Sequence, residues 1–285
     1  MLYLYDRYHR SEKEMKISLK KVNILMLYVK NSMILDRQEE IRMEVKIVDN
    51  YEAASKEAAK VILEQVLTKP DSHLGLATGS TPLRLYELLV KDHQENGTSY
   101  GSIKTFNLDE YYGLERSHPQ SYYYFMQEHL FQHIDLKEEN IHLPKGSGDI
   151  EENCSSYTKL LEKEGVDLQL LGIGSNGHIG FNEPGTPFDC TTHYITLKES
   201  TRKDNARLFF DNKLEEVPNH AITMGIKNIL EAKKIILVAC GENKAEAVQE
   251  LVEGDISTAC PATVLQKHPN CIVIVDQAAA KLLQK

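Results

Sequence analysis

A histidine set among glycines is the first feature of this sequence that could do chemistry. The segment LLGIGSNGHIGFNEPG, residues 170–185, places His178 two positions after Asn176 and five before Glu183. A histidine within reach of a carboxylate has a fixed orientation and a pKa tuned toward working pH. A purely structural histidine is the alternative reading. The glycine spacing is GxGxxG-like, but no acidic ribose ligand follows a second strand at the expected place, so a nucleotide is not expected. Asp109 and Glu110, in TFNLDEYYGL, stand where an apolar strand ends. A carboxylate there can act as a general base or simply cap a turn.

Charge and hydroxyls for gripping an anion come from other loops. In ATGSTP, residues 77–82, Gly79 allows a tight turn, Thr81 suits an N-cap and Pro82 a first helical position. The free N–H groups of such a helix start, with the hydroxyls of Ser80 and Thr81, would cradle a phosphate. A well-capped turn is the other possibility, and the GK[ST] ending of a Walker loop is missing. Arg202, Lys203, Arg207 and Lys244 are the cations to consider, against the ordinary alternative of solvated surface charge. Lys244 opposes the dipole of the helix it begins, which an anion bound there would explain. His129 and His133 have i,i+4 spacing, but with no HExxH pattern or third ligand they read as incidental. No metal site is expected.

Short apolar runs alternating with helical patterns must position these loops. Strands are expected at residues 73–77, 103–108, 166–173, 234–240 and 271–275, and a short one at the start of MEVKIVDN. Helices are expected over residues 51–68 with Asn50 as N-cap, then 82–91, 120–133, 154–164 and 243–252, with a short closing helix to Lys285. Such alternation implies an α/β fold, a Rossmann-like, mostly parallel sheet with helices on both faces. Ligands of such sheets sit beyond the carboxyl ends of the strands, and every loop named above follows a strand.

Composition narrows the class. The chain has 285 residues, 41% of them hydrophobic, enough for a core without disulfide staples. Its five cysteines are scattered without zinc spacing and read as reduced thiols of a cytoplasmic protein. A formal charge of −9 argues against nucleic acid as a partner. No apolar run spans a bilayer; residues 22–29, between Lys21 and Lys30, form a weak signal-like core with no cleavage site after it. Residues 1–42 lack Gly and Pro and are basic within an acidic chain, so they are expected to be an N-terminal extension: a translated leader ahead of Met43, or an arm that packs on the domain or a partner. Residues 43–285 are expected to form a single catalytic domain.

Taken in order, ATGSTP, TFNLDEYYGL, HPQSYYYFM, LLGIGSNGHIGFNEPG and VACGENKAEAV resemble the glucosamine-6-phosphate deaminase family from about Met43 to the C-terminus. The resemblance implies conversion of glucosamine 6-phosphate to fructose 6-phosphate and ammonia, with no cofactor. It implies that Asp109 is the general base between C2 and C1. His178 would pass a proton to the ring oxygen, and Glu183 would orient that histidine. Gly79, Ser80, Thr81, Arg207 and Lys244 would hold the phosphate. Asn176 stands where some family members carry Asp, which implies a modest change in pH profile. The stretch between Glu183 and Arg207 resembles the family's mobile lid. The C-terminus lacks the longer tail of the allosteric hexameric members, favouring a monomer. The alternatives are a 6-phosphogluconolactonase, which shares the sheet but not the FNEP continuation, or a catalytically silent sugar-phosphate sensor.

Overall fold

The computed structural model describes residues 43–284, so the extension expected over residues 1–42 lies outside the described residues. The chain enters with β1 (Glu44–Val48) and turns into α1 (Tyr51–Thr68) at Asn50, whose side chain accepts a hydrogen bond from Ala53 N at 3.0 Å. Ala54, Ala58, Val61 and Ile62 form the buried stripe of that helix, at the spacing one helical face requires. Then follow β2 (His73–Leu76), α2 (Leu83–Asn96), β3 (Lys104–Asn107), β4 (Asp109–Tyr112), α3 (Tyr122–His129), β5 (Ile141–His142) and α4 (Ile150–Glu164). The second half runs β6 (Leu168–Leu171), β7 (His193–Thr196), α5 (Glu199–Phe209), β8 (His220–Thr223), α6 (Ile226–Leu230), β9 (Ile235–Ala239), α7 (Ala245–Glu253) and β10 (Cys271–Asp276).

Seven strands form one wholly parallel sheet in the order β1-β10-β9-β6-β2-β3-β5. All five residues of β9 are buried, as a strand covered on both faces demands. From β2 the chain steps outward to β3 and β5; from β6 it steps the opposite way to β9 and β10. Right-handed crossovers in opposite directions put helices on opposite faces of the sheet. The reversal falls between the neighbours β2 and β6, and a crevice opens outside their carboxyl ends. The loops following them are ATGSTP and the glycine-rich segment with His178. At the other end of the sheet, buried Asp167 ties β6 to β2. It accepts from His73 N at 2.8 Å and Lys233 Nζ at 2.8 Å, and pairs with Lys69.

A second sheet, antiparallel in the order β4-β8-β7, is absent from the expectations above. Leu108 alone separates β3 from β4 and joins the two sheets: its N–H reaches Leu76 O at 3.0 Å and its C=O accepts from Met224 N at 2.6 Å. Asp109 is thus the first residue of a new strand as well as the last step off the main sheet. The small sheet and α5 share a satellite core of Tyr111, Phe181, Leu197, Ala206, Phe210, Val217 and Ala221.

Two further expectations need correction. Thr81 does not cap α2, which begins at Leu83 with Pro82 in the cap position and no side-chain cap bond. The N–H of Arg84 instead donates to the hydroxyl of Tyr51 at 3.1 Å, and that hydroxyl reaches the carbonyls of Ser80 and Thr81, each at 3.1 Å. A residue of α1 therefore caps α2, which leaves the Thr81 side chain to the loop. The closing helix is also absent: residues 277–282 form turns, held by Asp276 through the N–H groups of Ala279 (2.8 Å) and Ala280 (2.9 Å).

Candidate active site

A cavity of about 390 Å³ opens beyond the carboxyl ends of the central strands. Gly79, Ser80 and Thr81 line it from the loop after β2, Asp109 from the start of β4, and His178 from the loop after β6. Arg207 reaches it from α5, and Lys244 from the turn Glu242–Lys244 that follows β9. Residues from five separate segments converge here, as the strand-end rule requires.

Local geometry explains two of the glycines. Gly79 has φ +100°, a conformation that costs residues with a Cβ and turns the chain sharply enough to aim the next two residues inward. At Gly174 a Cβ would lie 2.2 Å from the His178 ring. The imidazole packs against bare backbone there, and any side chain at 174 would displace it.

Behind His178 stands Glu183, 3% exposed and outside the cavity lining. Its Oε1 lies 3.8 Å from His178 Nδ1, beyond hydrogen-bond length and within ion-pair reach of a protonated imidazole. Asn176, also outside the lining, uses both ends of its amide. Its Nδ2 donates to Glu183 Oε2 at 2.8 Å, and its Oδ1 accepts from His178 N at 3.2 Å. An amide can clamp the loop this way. An ionised carboxylate could accept from His178 N but could not donate to Glu183.

Asp109 and Glu110 alternate on β4, and only Asp109 lines this cavity. Burial, and next the charge of Glu110, push the Asp109 carboxyl up to about 8. Burial likewise raises Glu110, to about 7, against hydrogen bonds from the N–H groups of Tyr122, Tyr123 and Tyr111. Glu110 thereby caps the start of α3. Cys240 also lines the cavity, but burial and then the charge of Asp276 raise its thiol to about 12, so it stays protonated at neutral pH.

The other two cations considered from the sequence, Arg202 and Lys203, are engaged elsewhere. Arg202 donates to the carbonyls of Leu214 (2.8 Å) and Val217 (3.0 Å), and Lys203 pairs with Glu199 at 2.6 Å. The ring of His129 packs on Phe125, and His133 Nε2 engages Glu128 O at 2.8 Å. Among the described residues no group of His, Cys, Asp and Glu could hold a metal ion, and no helix is long and apolar enough to cross a membrane. Sequence reasoning missed Tyr122, Phe181, Thr201, Asn205 and Asn243, which also line the cavity. HPQSYYYFM and STRKDNARLFF hold three of them, but nothing local says which side chains face inward.

The profile described as "Glucosamine-6-phosphate isomerases/6-phosphogluconolactonase" matches residues 48–274. A glucosamine-6-phosphate deaminase of Clostridium botulinum (strain Langeland / NCTC 10281 / Type F) is 50% identical over 244 residues, covering 85% of this chain and 99% of its own. One of Thermoanaerobacter pseudethanolicus (strain ATCC 33223 / 39E) is 50% identical over 243 residues, covering 85% of this chain and 95% of its own. The solved structure of a monomeric glucosamine-6-phosphate deaminase, 46% identical, superposes with a TM-score of 0.82 over 84% of this chain and 100% of that one. A 6-phosphogluconolactonase from Trypanosoma cruzi, 17% identical, shares the fold with a TM-score of 0.69 over 86% of this chain and 98% of that one. The chain belongs to the glucosamine-6-phosphate isomerase and 6-phosphogluconolactonase family.

Proposed function

We propose that this chain is a glucosamine-6-phosphate deaminase, releasing ammonia and fructose 6-phosphate. The observation that carries the reading is the meeting of Asp109 and His178 in one cavity with Ser80, Thr81, Arg207 and Lys244. The hydroxyls, loop N–H groups and two cations hold the phosphate and fix the sugar by one end. His178, oriented by Glu183, delivers a proton to the ring oxygen while the C1 hydroxyl gives one up, and the pyranose opens. The aldehyde so exposed acidifies the C2 proton. Asp109 takes that proton as the C1 oxygen gains one, forming an enolamine, and returns its own proton at C1. Water then hydrolyses the resulting imine at C2 to the ketone and ammonia. Each bond made or broken along the way, including the addition of water and the departure of ammonia, is helped by a proton moving between carbon, oxygen and nitrogen, chemistry that a buried carboxylate and an imidazole can assist.

The high pKa of Asp109 suits its part. A carboxylate that holds its proton up to about 8 is a stronger base than an exposed aspartate and can still protonate C1 afterwards. The likeness to a monomeric deaminase favours a monomer here as well, which sedimentation equilibrium would test. The deciding experiment supplies glucosamine 6-phosphate and measures ammonia and fructose 6-phosphate together. Equal release of both is expected. Binding without turnover would identify a sensor, and hydrolysis of 6-phosphogluconolactone in its place would identify a lactonase.

A further inference from the structure

The carboxylate behind His178 is held from two sides, and one of them is the helix that carries Arg207. Glu183 Oε2 accepts from Asn176 of its own loop. Oε1, the oxygen nearer His178, accepts from the hydroxyl of Thr201 on α5. Thr201 is 5% exposed and lines the cavity, and its hydroxyl spans 18 residues of sequence to reach Glu183. Lys198, just before α5, adds a second tie to the same segment: its Nζ lies 3.9 Å from Glu183 Oε2 and donates to Pro184 O at 3.4 Å. Midway along α5, Asn205 Nδ2 donates to the Tyr111 hydroxyl at 2.6 Å. Arg207 follows Thr201 by six residues, about 9 Å along a helix, and lines the same cavity.

We propose that Thr201 is a positioning residue for the His178–Glu183 pair, so that the helix presenting Arg207 to the substrate phosphate also sets the carboxylate that orients the imidazole. The proposal rests on the deaminase reading and deepens it. One helix touches both the anion grip and the acid–base pair. Without the Thr201 hydroxyl, the oxygen facing the imidazole loses its donor while the other oxygen stays clamped by Asn176. Glu183 is then free to rotate about that remaining bond, and His178 loses its fixed orientation.

Thr201→Val keeps the shape and removes the donor, whereas Thr201→Ser keeps the donor and removes a methyl group. Thr201→Val is expected to lower kcat about ten- to a hundredfold, the size of a lost hydrogen bond to a charged group, with KM changed less than about twofold. Thr201→Ser is expected to restore most of the rate. A purely packing role would give the reverse ranking, because serine leaves the larger gap. The second readout needs no substrate. With labelled histidine, the imidazole resonances of His178, assigned by their loss in His178→Gln, should move in Thr201→Val and hold in Thr201→Ser. The charged groups around the pair are Lys198 beside Glu183 and Asp109, Arg207 and Lys244 across the cavity; both variants retain them all. Wild-type kcat in Thr201→Val together with an unmoved His178 resonance would overturn the proposal. Absence of ammonia release by the unaltered protein would instead overturn the deaminase reading, and the resonances would still decide for or against the Thr201 contact.

Discussion

Two buried aspartates at opposite ends of the same sheet have been pushed in opposite directions. Asp167, at the amino end of β6, would be raised by burial alone, but hydrogen bonds from Lys233, Lys69 and the His73 N–H bring it down to about 2. Asp109, beyond the carboxyl end of β3, is raised by burial and by neighbouring Glu110 to about 8. The first is a fastener. The second holds its proton at a cost in stability, a pattern that clusters at functional sites. Parallel sheets separate these duties by their polarity, because the crevice at the switch point opens only at the carboxyl ends.

The sharpest break of this contrast is the same substitution at both ends. Asp109→Asn should lower kcat by about a hundred- to ten-thousandfold, the range for losing a general base, while substrate still binds. It should also stabilise the protein. The folded pKa of Asp109 stands above its ordinary 3.8, so stability falls as pH rises from there to about 8. The Asn variant is free of that loss, and its gain in Tm over wild type should be greatest above pH 8. Asp167→Asn should do the reverse, leaving kcat unchanged and costing about 1.5–3 kcal/mol by urea titration at neutral pH. Asp167 lies below its ordinary value, so its contribution is full above pH 4 or so and is lost as pH falls toward about 2. Below pH 2 the wild type and Asp167→Asn should converge.

Within the active end, binding and chemistry should separate. Arg207→Ala and Lys244→Ala are each expected to raise KM about ten- to a hundredfold, as loss of a charged hydrogen bond to phosphate would, with kcat less affected. Inorganic phosphate should weaken as an inhibitor in parallel. An unchanged KM in either variant would remove that residue from the anion grip.

The pH profile tests the electrostatics more gently. If Asp109 is the general base proposed above, it acts only once its proton is lost, and kcat/KM should climb with pH until about 8. Glu110→Gln removes the smaller of the two causes, so the acid limb should move to lower pH, by roughly half a unit. A limb that stays in place would assign it to a group other than Asp109.

How far the sequence foretold this site depends on how local each contact is. Asn50 and its helix were legible because a cap and its N–H lie three residues apart. The five buried residues of β9 and the loops after β2 and β6 were legible because apolar runs and glycines announce themselves. The small sheet was not, since DEYY, HYIT and HAIT are four-residue strands, all three bearing ionisable or polar residues, that owe their form to one another. Nor was the Tyr51 hydroxyl at the head of α2, 33 residues away from the N–H it serves. Thr201 was hidden for the same reason: a hydroxyl among charged neighbours in STRKDNAR gives no hint that it is buried against Glu183.

The smallest expected effect belongs to Asn176, and it probes the active end most finely. Asn176→Asp would keep the acceptor for His178 N and replace the donor to Glu183 Oε2 with an oxygen. Two carboxylates 2.8 Å apart cannot both stay ionised at low cost, so one retains a proton or the pair separates. Asn176 is exposed, and water blunts the repulsion. The contact from Thr201 still holds the other oxygen of Glu183. A two- to fivefold fall in kcat, roughly the effect of a partly screened pair, is therefore expected at neutral pH. It should grow toward alkaline pH as the shared proton is lost. A variant as active as wild type across the whole pH range would mean that the Asn176 amide does not hold Glu183 during turnover.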